Sequence, residues 1–299
     1  MELSHLLPLA LLVVPVIWGI YGYFKTRSVN NIPSTSHAAQ SAWPLIINSA
    51  VLYALTFNLL FFVQELFLAL GKRWLGLKAY LYHNNHNWDG EHPMERLAQG
   101  YGAVAILITG IICLVIARGM KTSAHWLQLF FLWMSFQGFA QSIPQFISAK
   151  TSPDTDTGQA FTYLGIGDTA GLIIAIAGIL IMLVISANFS RYLLQLAPSS
   201  GHTAQSKERF GFLFKIAIVA SLIGIALIIP FRIMPWSRAF APIGVTLISI
   251  PMVFANAWKV NAVKPINNDI NKKVFPAPIV ILIIVLLIFQ LILAKGIEM

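Results

Sequence analysis

Between Asn58 and Gln99 the chain reads NLLFFVQELFLALGKRWLGLKAYLYHNNHNWDGEHPMERLAQ, a run that mixes helix-forming hydrocarbon with a dense group of ionisable side chains. Glu65 stands inside the apolar part. A carboxylate within a membrane-type helix is costly and marks a functional or pairing site. Glu65 is therefore the candidate catalytic base or proton carrier. The structural alternative pairs it with Lys72 or Arg73, one to two turns later. Asn58 shares its helical face at i−7, and with Gln64 it joins the candidate cavity lining.

The following YHNNHNWDGEHP segment carries His83, His86, Asp89, Glu91 and His92. Imidazole nitrogens and carboxylate oxygens are the ligands that zinc takes, usually three from the protein plus water where the metal is catalytic. The set, with Asp156 from further along, fits a divalent metal such as zinc. Asp-Gly at 89–90 and Pro93 point to a loop rather than a helix. The spacing matches neither HExxH nor a C2H2 pattern, and a hydrogen-bonded cap over the bundle is the structural alternative.

A third group lies on one predicted helical face. Gln137, Gln141 and Gln145 fall at i, i+4 and i+8, and Pro144 between them removes a backbone donor. Amides inside a bilayer need partners, so this stripe faces the bundle or a wet cavity. Beyond it, SPDTDTGQAFTYLGIGD departs from the EF-hand pattern. Asp154 or Asp156 is expected to cap the next helix, and Asp168 to sit at the start of the fifth span. Glu65, His83, His86, Asp156 and Asp168 are thus expected to form a composite site, with Asp168 also lining the cavity.

These groups have to be positioned by apolar helices. The chain of 299 residues is 57% hydrophobic and 10% charged, with a mean hydropathy of +0.74, far from a soluble domain. The formal charge of +9 reads as Lys and Arg flanking membrane helices, and nucleic-acid binding has no support. About eight segments are apolar and long enough to span: Leu6–Phe24, Trp43–Leu70, Leu97–Ala117, Ala124–Ala149, Asp168–Asn188, Phe210–Pro230, Ala239–Trp258 and Pro276–Ala294. The predicted class is all-α, a polytopic bundle forming one transmembrane domain over 1–299, with an extramembrane loop at 71–96. Within that loop, Gly71–Tyr80 is expected to lie along the interface. A polar linker over Thr26–Ser41 joins the first two spans.

Leu6–Phe24 follows Glu2 rather than a basic region and precedes Lys25 and Arg27, so it reads as a retained first helix rather than a cleaved signal. Lys and Arg favour an orientation with both termini on the non-cytoplasmic side of a bacterial inner membrane, although Lys72 and Arg73 pull against it. Both the His-rich loop and the Asp154/Asp156 loop then face that side. Cys113 is the single cysteine, which excludes an intrachain disulfide and a cysteine-based metal site.

The run Asn48–Gln99, with NSA, FNLLFFVQELF and YHNNHNWDGEHP, resembles polytopic bacterial membrane proteins of unassigned function. A fainter similarity is to intramembrane zinc proteases of the site-2 class, whose HExxH lies on a transmembrane helix. Here Gln64-Glu65-Leu66-Phe67-Leu68 keeps the glutamate and loses both histidines. Asp156-Thr157-Gly158 stands where that class places its carboxylate ligand. The resemblance implies a non-proteolytic relative, or one recruiting His83 and His86.

Three functions follow as expectations. The first is binding or transport of an ion, proton or small amphiphile in a polar cavity. The second is a membrane metal-dependent hydrolase with metal on His83 and His86 and Glu65 as base. The third is a non-catalytic assembly factor that docks a membrane partner or a second copy. The absence of Walker A, dinucleotide and nucleophile-elbow motifs argues against ATP-driven transport by this chain alone and against serine hydrolysis.

Overall fold

The computed structural model describes residues 3–27, 43–120, 126–199, 203, 205–232, 240–258, 260, 263, 270 and 272–299. The architecture is mostly helical. In order, α1 is Leu3–Arg27, α2 Trp43–Trp74, α3 Glu95–Ala98, α4 Tyr101–Gly119 and α5 Trp126–Ser148. They are followed by α6 Asp156–Tyr163, α7 Asp168–Gln195, α8 Ser206–Phe231, α9 Ala241–Ala255 and α10 Pro276–Leu291. Each of the predicted apolar segments carries a helix. Among the described residues, five helical stretches are long and apolar enough to cross a membrane: α2, α3 with α4 as Glu95–Gly119, α7, α8, and α10 with its extension to Lys295. The predicted linker at Thr26–Ser41 falls almost wholly on residues 28–42, outside the described residues.

Helix α2 is the axis of the bundle. Its most apolar window is 72% buried, against 28% for that of α7, and it packs on α4, α5, α8 and α10. A helix surrounded in this way is apolar on all faces, and its few polar side chains must find partners inside. Asn48 does so over a long chain separation. Its Nδ2 donates to the carbonyls of Ile270 (3.1 Å) and Lys273 (2.9 Å), and its Oδ1 accepts from the Phe275 amide at 3.0 Å. Ser49 accepts from Trp133 Nε1 (3.0 Å) and donates to the Ile216 carbonyl (2.9 Å). That carbonyl lies in a π-helical stretch, Phe214–Val219, which widens the middle of α8.

Helices α4 and α5 meet through glycine. A Cβ on Gly138 would lie 2.6 Å from the Gly110 Cα and 2.8 Å from the Ile106 carbonyl oxygen. Missing side chains let the two backbones touch, the usual device for close packing in lipid.

The region after α2 departs from the all-α expectation. Helix α2 runs one turn beyond the predicted Leu70, because Lys72 finds buried partners there. Gly76, at φ 78°, then turns the chain. Residues 78–81 form β1 and residues 86–89 form β2, an antiparallel hairpin pairing Lys78 with Asp89 and Leu81 with His86, where a turn or short helix was expected over Gly71–Tyr80. The Tyr82 amide donates to the Asn85 carbonyl across the turn at 2.9 Å. A short third strand, β3 (Ile297–Glu298), pairs antiparallel with the other edge of β1, giving the order β2-β1-β3. The hairpin is anchored by hydrocarbon: Ala79 and Leu81 pack with Ala69, Phe289 and Leu293. Residues 297–299 therefore lie at the hairpin end of the bundle.

Candidate functional site

Glu65 and Gln64 are neighbours on α2, so their side chains leave the helix about 100° apart. They enter two different environments. Glu65 turns toward the hairpin, where its Oε2 lies 2.8 Å from His86 Nδ1, with side chains only 7% and 9% exposed. The other ring nitrogen of His86, Nε2, lies 3.1 Å from Gln99 Oε1. With both ring nitrogens facing oxygen acceptors, the arrangement suits the doubly protonated ring. Burial alone would lower the His86 pKa. The hydrogen bond and charge of Glu65, then Asp156 and Gln99, outweigh it and hold the pKa above the ordinary histidine value.

The ring of Trp88 stacks on His86 (5.8 Å between centroids, 9° between planes) and receives the Lys72 ammonium on its face at 4.1 Å. Lys72 is fully buried and donates to the Glu95 carbonyl. Sequence spacing offered Lys72 and Arg73 as partners for Glu65, but His86 takes that place. Arg73 bonds instead to the Met299 carbonyl. On the other side of Glu65, the Arg232 guanidinium lies over the Phe61 ring at 4.0 Å and within electrostatic reach of the carboxylate. Asp156 exerts its charge on both His86 and Lys72.

The expected composite site is therefore assembled in part. Glu65, His86 and Asp156 come together. His83 does not join them: it is 1% exposed, stacks on Phe289 of α10 (5.0 Å, 19°), and neither ring nitrogen has a hydrogen-bond partner among the described residues. Burial, followed by the nearby Arg232 charge, lowers its pKa to about 4. Asp168 is 94% exposed and pairs with Lys150 at 3.1 Å, so it lines no cavity here. The cap of α6 is Thr155, whose Oγ1 accepts from the Gly158 amide; Asp156 occupies the first turn rather than the cap, where the helix dipole favours a carboxylate.

The candidate metal ligands also diverge. His86 has both nitrogens engaged and His83 lies elsewhere. Asp89 is exposed and accepts from the Tyr80 hydroxyl at 3.0 Å. Glu91 and His92 line an open surface depression with Pro93, Glu95 and Arg96. Among the described residues, no group of three or more His, Cys, Asp or Glu side chains is gathered as a metal site. The hydrogen bonds of His86 go to Glu65 and Gln99, so its ring does not activate a hydroxyl or thiol in the manner of a Ser–His or Cys–His pair.

Gln64 points the other way, into the amide stripe. Gln145 Nε2 donates to Gln64 Oε1 (3.1 Å) and to the Gln141 carbonyl (2.8 Å), while Gln141 Nε2 reaches Gln137 Oε1 at 3.4 Å. Gln64, Gln141 and Gln145, with Phe61, Pro144 and Val245, line a cavity of about 250 Å³ between α2, α5 and α9. The ladder is incomplete: among the described residues buried Gln141 Oε1 has no hydrogen-bond partner, while Gln137 lies beside the Tyr53 hydroxyl. Asn58 stays outside it, donating to the Ala54 carbonyl of its own helix at 2.9 Å. Phe61 joins the two environments, being cavity wall and seat of the Arg232 cation at once.

Trp88, Gln99 and Arg232 were not singled out by sequence. Gln99 carried the faint signal of a lone amide at the entrance to an apolar span. Arg232 gave only a charge at a span end. Compared with known protein families, curated proteins and solved structures, the chain matches none.

Proposed function

We propose that this chain is a polytopic membrane protein of about eight spans that binds or conducts protons at the Glu65–His86 pair, coupled to the glutamine-lined cavity beside it. The observation that carries this reading is a carboxylate and an imidazole, both nearly sealed from solvent, joined at 2.8 Å on the far side of one helix turn from an incompletely satisfied amide cavity. Buried ionisable residues within membrane domains are by default elements of ion and proton paths. A half-turn of the Gln99 amide would present NH₂ to His86 Nε2 in place of oxygen, so the site can serve the ring with or without its second proton. Arg232 and Lys72 supply positive charge that keeps the Glu65 and Asp156 carboxylates tolerable when His86 is neutral. The cavity, with three amides and an apolar remainder, suits a small ion with water or a small amphiphile as the coupled species.

The test is dissipation of an imposed pH gradient across proteoliposomes. Wild type is expected to collapse it faster than Glu65→Gln and His86→Gln, each inserted at equal density. Equal rates for wild type and Glu65→Gln would reject the reading.

A further inference from the structure

At the end of the bundle opposite the hairpin, α4, α5 and α7 enclose a groove of about 190 Å³. Its walls are mostly hydrocarbon, from Leu114, Leu132, Phe136, Phe139 and Phe189, with Ser135 and Asn188 among them, and its rim on α7 faces outward, with Val184 61% exposed. Among the described residues that line it, one is a cation, Arg118. Arg118 Nε donates to the Tyr192 hydroxyl at 2.8 Å, which fixes the guanidinium plane. Its terminal nitrogens have no protein partner among the described residues. Helices α4 and α5, and α7 beyond Asp168, bring it no carboxylate, since the sequence holds neither Asp nor Glu from Arg96 to Pro153, nor from Thr169 to Lys207.

The depth of this cation is set by helix geometry. From Tyr101 to Gly119, α4 has 19 residues, about 28 Å at 1.5 Å per residue, close to the thickness of a bilayer's hydrocarbon core. Arg118, next to its last residue, therefore stands where phosphates begin. A fixed guanidinium at headgroup level, opening onto an apolar groove between outward-facing helices, matches the two halves of one ligand. Arg recognises phosphate oxygens in a fork, and basic pockets between membrane helices recruit anionic headgroups.

We infer that Arg118 and Tyr192 hold the phosphate of an anionic phospholipid, with one acyl chain lying in the groove between α5 and α7. The inference rests on the membrane-spanning reading and not on proton binding at Glu65.

The experiment is native mass spectrometry of the full chain in detergent, titrated with phosphatidylglycerol, phosphatidylcholine or glycerol 3-phosphate. Phosphatidylglycerol is expected to bind about fivefold or more tightly than phosphatidylcholine, the factor one interfacial arginine supplies. Glycerol 3-phosphate, which has no chain to fill the groove, should not compete. Arg118→Gln should erase the preference, Arg118→Lys should keep part of it, and Tyr192→Phe should weaken it with the fold intact. An unchanged preference in Arg118→Gln would overturn the assignment, and so would glycerol 3-phosphate binding as tightly as the lipid. Gradient dissipation by the same preparations reads the Glu65–His86 pair separately, so failure of one proposal leaves the other standing.

Discussion

His86 Nδ1 lies 2.8 Å from Glu65 Oε2, although 21 positions separate the two residues and one belongs to the central helix while the other belongs to a strand. The pair ties the hairpin to the bundle at the point where charge is costliest. A buried pair is a weak source of net stability, because desolvation offsets most of the attraction, but losing one partner strands the other. Glu65→Gln and His86→Gln should each cost about 3 kcal/mol. The double variant, in which two amides can bond each other, should cost clearly less than the sum. Denaturant unfolding in detergent reads all four corners of this cycle, and strict additivity would mean the pair is not coupled in solution.

The two histidines of the hairpin act oppositely on pH. His83 has a folded pKa of about 4 against 6.5 for the free ring. Its neutral form therefore supports the fold above 6.5, and that support is lost as pH falls toward 4, where the unfolded chain binds the extra proton. His86 is raised above 6.5, so its contribution is complete below 6.5 and is lost as pH rises through the raised value. Thermal unfolding across pH should show both limbs. His83→Phe, which preserves stacking on Phe289, should flatten the acid limb only, and His86→Gln the alkaline limb only. An acid limb of undiminished slope in His83→Phe would contradict the assignment.

The apolar half of the structure was legible in the sequence, since hydrocarbon spacing alone marks where helices must run. Glu65 could also be read as a residue in need of a partner, and the Gln137–Gln141–Gln145 line as an inward face. The identity of the partner could not. His83 and His86 are three positions apart with equal chemistry, and only strand pairing at Leu81–His86 aims one at Glu65 and the other at Phe289. Lys72 had the right spacing along α2 to meet Glu65, but the Trp88 ring and the Glu95 carbonyl claim it. Arg232 and Gln99 reach the site from elements distant in sequence, for which local pattern carries no information. The β-hairpin was hidden by Asn, His and Gly, which read as loop until Ala79 and Leu81 find a packed surface.

The α4–α5 contact makes a packing prediction with an internal control. Gly138→Ala places a methyl against the Gly110 backbone, and backbone cannot yield as a side-chain tip can. The expected loss is about 2 kcal/mol, within the usual range for overpacking. Gly244→Ala, in α9, meets nothing within 4 Å and should be neutral or stabilising by about 0.5–1 kcal/mol. Unfolding temperatures of the two variants side by side decide it; a harmless Gly138→Ala would show that the helices stand further apart.

The three hydrogen bonds of Asn48 set an order of events during biosynthesis. Its partners lie 222 to 227 positions later, so the ribosome delivers this amide long before the carbonyls and amide that satisfy it. Strand β1 likewise waits for β3. The central helix thus enters the lipid with an open polar debt, and the segment leading into α10 is the latch that closes it. Contacts this distant in the chain form slowly, so the polar side chains of the central helix are satisfied only when α10 and the segment before it dock.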